Sequence, residues 1–182
     1  MFTGSESSPG LLTGLNYFLL KNPEVLQKVT REVQTAFKSS SSITLESVGA
    51  LEYLSVCIQE SLRAYPPAPL GVPRIVPDGG AMVASNWIPE KTVVYVSHFA
   101  AYGPANFSEA DSFRPDRWLA QYQASYNKDQ KAAMKSFGVG PRDCIGKASV
   151  CLIRYLCSLT NAPRQFGLLP NPNDVLQVIV AL

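Results

Sequence analysis

Phe137-Gly-Val-Gly-Pro-Arg-Asp-Cys144-Ile-Gly146 sets one cysteine in a glycine-rich turn, with an aromatic residue and an arginine upstream of it. Gly138 and Gly140 allow the backbone to take positive φ and bring its amides toward the sulfur. A helix opening near Gly146 would add the positive end of its dipole. Both effects lower a thiol pKa, so the stretch reads as a thiolate held ready for a metal. A reactive free cysteine would use the same electrostatics, and an ordinary glycine turn around a buried cysteine would use neither. Phe137 as a shield and Arg142 as a partner for an anionic cofactor edge are needed by neither alternative.

These ten residues resemble the cysteine loop of the cytochrome P450 family, Phe-x-x-Gly-x-Arg-x-Cys-x-Gly, and every fixed position is met. The resemblance implies that Cys144 is the axial thiolate ligand of haem b, whose electron donation favours O–O cleavage. It gives Arg142 a haem propionate, packs Phe137 over the sulfur, and makes Gly138 and Gly146 part of the cofactor-binding turn. The implied activity is a haem-thiolate monooxygenase that inserts one oxygen atom of dioxygen into a small apolar organic substrate. Its electrons would come from NADPH through a reductase. The implied fold is mainly α with small β-sheets (α+β), the C-terminal portion of the cytochrome P450 fold. Residues 1–182 would form a single partial domain, with the distal helix to the cysteine loop in 1–147 and a divergent tail in 148–182.

Upstream motifs occur in the family's order. Glu60-Ser-Leu-Arg63 puts a carboxylate and a guanidinium on one helix face, an arrangement worth roughly 0.2–0.5 kcal/mol as a solvated pair. Phe113-Arg-Pro-Asp-Arg117-Trp118 changes that reading, because the family joins Glu-x-x-Arg to a later Pro-Glu-Arg segment, here with Asp116 for Glu. By resemblance Glu60, Arg63 and Arg117 form a buried network, which specifies geometry more than it stabilises.

Thr3-Gly4-Ser5-Glu6-Ser7-Ser8 resembles the distal oxygen-binding segment, with Glu6 and Ser7 as the acid and hydroxyl that deliver protons. A local Ser/Glu capping segment is the plainer alternative. Pro66-Pro67-Ala68-Pro69 and Pro73-Arg74 resemble the segment lining the substrate pocket, with Arg74 as a second propionate partner or, alternatively, a solvated strand-end arginine. His98, the one histidine, reads as a satisfied strand residue.

Composition sets the bounds. A chain of 182 residues, 46% apolar and 16% charged, can bury a core. A net charge of +2 with no basic run or arginine-rich arm gives no argument for a nucleic-acid partner, and none is expected. The apolar stretch 10–20 is too short to cross a bilayer. Cys57, Cys144, Cys151 and Cys157 lack zinc-site spacing, and three of them read as reduced core hydrophobes.

Periodicity predicts a helix over 11–20. A second, over 23–37, would have Asn22 as N-cap, Pro23 as first residue and Val25, Leu26, Val29, Val33 and Phe37 on one face. Thr44 is expected to cap a short helix through Val48. A further helix over 51–65 stops at Pro66-Pro67. Strand-like runs follow at 72–76, 81–84 and 92–96, then turn-rich sequence over 103–135, a buried helix over 148–159 and a closing strand over 175–182.

The resemblance weakens after Lys147, since Val150 and Ile153 stand where the family places Ala and Glu. Complete relatives are more than twice as long and carry an anchor in the endoplasmic reticulum membrane that is not seen in this sequence. A truncated locus, a wrong start codon or a mis-spliced exon is equally consistent with that. The alternative to an active enzyme is a truncated, non-catalytic haem-binding or interaction remnant. The Asn-Pro-Glu-Val-Leu-Gln-Lys helix is similar to fungal microsomal members that tailor secondary metabolites.

Overall fold

The computed structural model describes residues 6–39, 42–44 and 46–149. Helix α1 (Ser7–Lys21) begins a turn before its apolar periodicity does and buries Leu11, Leu15 and Leu19 as one stripe. Asn22 follows, but it does not cap the next helix as the sequence predicts. Its side-chain amide donates to the Phe18 carbonyl at 2.8 Å and so closes the C-terminus of α1, where carbonyls lack partners.

Helix α2 (Pro23–Ala36) carries Pro23 in its first turn and turns Val29 and Val33 inward, with Phe37 buried just beyond its end. Thr44 and Ser47 bond reciprocally, Ser47 N–H to Thr44 Oγ1 at 3.1 Å and Thr44 N–H to Ser47 Oγ at 2.9 Å. Serine thus does the work of the glutamate in a capping box. The 3-10 turn that results spans Ser47–Ala50.

Helix α3 (Glu52–Ala64) has Leu51 at its N-cap, which can offer no side-chain acceptor. Glu32 of α2 takes that place, accepting from the amides of Tyr53 at 2.7 Å and Leu54 at 2.8 Å. The cap therefore also fixes α2 against α3. Leu54, Cys57, Ile58 and Leu62 complete a core with the α1 and α2 stripes, and Phe113 joins it from the turn-rich region.

Strand β1 (Arg74–Ile75) pairs antiparallel with β4 (Val93–Val94), Arg74 opposite Val94. Between them β2 (Ala81–Val83) and β3 (Asn86–Ile88) form a hairpin, Met82 opposite Trp87. The expected strands over 72–76 and 92–96 are thus trimmed to their middles, that over 81–84 loses only its last residue, and β3 is additional. Helix α4 (His98–Ala101), capped by the Ser97 hydroxyl, corrects the reading of His98 as a strand residue. His98 is buried and stacks on Tyr102. Burial pushes its pKa below the usual imidazole range, against a smaller upward pull from a backbone bond to Ala68.

Residues 103–144 run through turns that include 3-10 segments at Pro115–Trp118, Ala120–Tyr122 and Lys131–Ala133. Another, Ile145–Ser149, follows the cysteine. The rest of the predicted helix over 148–159, the strand over 175–182, Cys151, Cys157 and the segment before Glu6 lie outside the described residues.

Candidate functional site

Glu60 and Arg63 lie one turn apart on the inward face of α3 and are 0% and 3% exposed, so they are not a solvated pair. The Glu60 carboxylate accepts from Arg63 Nε at 3.0 Å and Nη2 at 2.9 Å, and from Arg117 Nε at 3.2 Å. It also accepts from the Trp118 indole at 2.8 Å and the Arg114 amide at 3.0 Å. All these last donors come from the loop around the 3-10 turn Pro115–Trp118, so one buried carboxylate holds that turn against α3. Arg63 then donates to the carbonyls of Tyr102 at 3.1 Å and Ser112 at 3.2 Å.

One carboxylate between two buried guanidiniums leaves a positive charge to be met. Asp129 meets it. Its side chain is covered although its backbone is partly exposed, and it accepts from Arg117 Nη1 and from the Ser108 amide and hydroxyl. Burial pushes its carboxyl upward, but the Ser108 bonds and Arg117 outweigh this and hold the carboxyl below the usual carboxylate range. Phe107 packs under both guanidiniums, 5.6 Å from that of Arg63 and 5.9 Å from that of Arg117. The three-member network expected from sequence is thus a charge-balanced four-member one. Trp118, next to Arg117, could have been noticed; Asp129, in a polar turn, carries no sequence signal.

The cysteine loop is closed by its own backbone. Cys144 N–H donates to the Phe137 carbonyl at 2.7 Å, Gly138 N–H to Lys135 O at 2.8 Å and Asp143 N–H to Gly140 O at 3.0 Å. Gly138 and Gly140 take φ of +72° and +82°, the region glycine enters without strain. A Cβ on Gly146 would stand 3.4 Å from Cys144 Sγ, a tight approach to the sulfur. Phe137 packs against the helical core, whereas Cys144 is an exposed free thiol and Ile145 is 99% exposed.

The sequence matches the model of the family Cytochrome P450 over residues 1–149. The chain belongs to the cytochrome P450 family. It is 45% identical over 148 residues to the cytochrome P450 monooxygenase prhB of Penicillium brasilianum, 81% of this chain and 30% of that protein. It is 42% identical over 148 residues to tpeC of Talaromyces stipitatus, 81% of this chain and 29% of that protein. With aneG of Aspergillus aculeatus it shares 40% identity over 157 residues, 86% of this chain and 30% of that protein. The chain thus spans about 30% of the length of these cytochrome P450 relatives.

The remaining predicted residues of this cytochrome P450 chain are spread over separate elements. Arg74 is half-buried in β1 and reaches the neighbouring Pro73 carbonyl at 3.3 Å. Arg142 is exposed on the cysteine loop. Glu6 and Ser7 stand exposed at the N-terminal end of α1. A cleft of 380 Å³ lies at the other end of that helix, among Tyr17, Phe18, Lys21 and Asp111–Arg114. It is about 20 Å along α1 from Ser7, at 1.5 Å per residue, and so is no pocket for a substrate attended by Glu6 and Ser7.

Proposed function

We propose that Cys144 is the axial ligand of a haem and that this chain carries the thiolate-bearing part of a monooxygenase. The observation that supports this most is the exposed Cys144 thiol at the closing end of a loop fixed by its own N–H on the Phe137 carbonyl and turned by two positive-φ glycines. The residues fit the group. A single soft sulfur donor suits an iron whose other ligands come from a macrocycle. The loop also presents an apolar side chain, Ile145, fully to its outside.

Two adjacent chain segments add more exposed apolar surface: the Gly71 Cβ position lies 2.0 Å from the Val96 carbonyl, and Phe99 N–H donates to Pro69 O at 3.0 Å. Leu70 and Val72 on one segment, and Val96 and Phe99 on the other, are all exposed.

Bound haem would supply the dioxygen activation that no side chain can perform. Cys144 would hold it from one side, with Gly146 leaving the sulfur room and Gly138 shaping the loop. Phe137 would anchor the loop to the helical core. Arg142 and Arg74, each with a guanidinium free of any ion pair among the described residues, would pair with its carboxylates. Glu6 and Ser7 would move protons at the Glu6 carboxyl and the Ser7 hydroxyl. Glu60, Arg63 and Arg117 hold the chain that leads into the loop.

The substrate would be a small apolar organic molecule, as in fungal members that tailor secondary metabolites, and NADPH through a reductase would supply electrons. No helix among the described residues is long and apolar enough to cross a membrane.

The test is spectroscopic. The chain is expressed with haemin, reduced and exposed to carbon monoxide, and the red-shifted Soret band of thiolate ligation is expected. Cys144→Ala should lack it. If the unaltered chain shows no such band, or Cys144→Ala retains it, the assignment falls.

A further inference from the structure

We propose that Tyr102 is a positioning residue that ties the cysteine loop to the buried charge network, an inference whose haem readout rests on Cys144 being the ligand. Tyr102 is 2% exposed, and both of its polar ends are engaged in different structures. Its backbone carbonyl accepts from Arg63 Nη1 at 3.1 Å. Its phenol oxygen, the length of the side chain away, accepts from the Lys135 amide at 3.1 Å and the Ser136 hydroxyl at 3.3 Å.

Those two residues immediately precede Phe137. Lys135 O accepts from Gly138 N–H, and Phe137 O accepts from Cys144 N–H. A continuous run of hydrogen bonds and short covalent links therefore leads from Glu60 through Arg63 and Tyr102 to the cysteine. The Tyr102 ring is itself held, stacked on His98 with centroids 5.1 Å apart and planes within 12°. A rigid phenol with few rotatable bonds transmits position better than a longer, softer side chain. If Tyr102 merely filled space, its hydroxyl would be dispensable.

Tyr102→Phe isolates the hydroxyl and leaves the stacked ring in place. In the apo chain, hydrogen exchange at Lys135 and across 136–144 is expected to accelerate roughly five- to tenfold, with exchange in α1, α2 and α3 unchanged. In the haemin-loaded, reduced carbon monoxide complex, part of the Soret intensity should move from the thiolate position to that of a neutral-thiol ligand. Ser136→Ala should act in the same direction, more weakly.

Unchanged exchange at 135–144 in Tyr102→Phe overturns the proposal. If Tyr102→Phe speeds exchange in the helices as well, Ser136→Ala decides: local acceleration supports the tether, and none overturns it. Absence of the thiolate band from the unaltered chain is a failure of the ligand assignment, which the exchange measurement in the apo chain does not share.

Discussion

At the scale of single residues, burial rather than distance decides what a charge pair contributes. Arg63–Glu60 and Arg114–Glu109 have the same N–O separation of 2.9 Å, but the first pair is covered and the second half exposed. Glu60→Gln leaves the buried Arg63 guanidinium without a carboxylate and Arg117 with Asp129 alone, and loss of a partner in such a setting is worth about 3–5 kcal/mol. Glu109→Gln is expected to change stability by under about 1 kcal/mol, because water screens that pair. Urea unfolding of both variants checks the contrast; equal shifts in midpoint would refute it.

Asp129 adds a pH signature. Its folded pKa lies below the ordinary aspartate value of about 3.9, so its contribution is complete above that value and disappears as pH falls through the folded pKa. Asp129→Asn should be less stable than the unaltered chain at pH 7. The gap between the two should narrow as pH is taken below about 4, as thermal unfolding at a series of pH values would show.

At the scale of elements, the sequence was readable where a period or a special residue marked the chain. The stripes Leu11–Leu15–Leu19 and Leu54–Ile58–Leu62, the proline opening of α2 and the Pro66-Pro67 stop all appear as helical pattern and punctuation. Strand β3 was hidden because its turn, Ala84-Ser85, takes φ of +48° and +65° with no glycine or asparagine to announce it. That turn conformation is disfavoured for both residues by roughly 1 kcal/mol or more each. The double change Ala84→Asn with Ser85→Gly should therefore stabilise the β2–β3 hairpin, visible as slower amide exchange in Ala81–Ile88; faster exchange would contradict the turn assignment. Contacts between distant side chains were hidden for a different reason. Glu32 capping α3 and Asp129 balancing Arg117 depend on which elements meet, and no local pattern encodes that.

At the scale of the whole molecule, apolar burial is unevenly distributed. The main core draws on α1, α2, α3 and Phe113, while the ribbon leaves Ile75, Met82, Trp87, Val93 and Tyr95 exposed. The cysteine loop was legible because its chemistry is local to ten consecutive residues, and the loop's support was legible only in its Glu60, Arg63 and Arg117 members. Elements with few buried apolar contacts open without unfolding the rest. Amide exchange measured across increasing urea should therefore separate two classes. Leu15, Val33 and Ile58 should exchange only through global opening, with a urea dependence equal to that of equilibrium unfolding. Met82, Trp87 and Val94 should exchange faster and almost independently of urea, because local opening exposes little new surface. A single common rate and slope for both sets would mean that the ribbon folds and unfolds as one unit with the helices, and that the exposed apolar ribbon is held by more than its own two-stranded pairing.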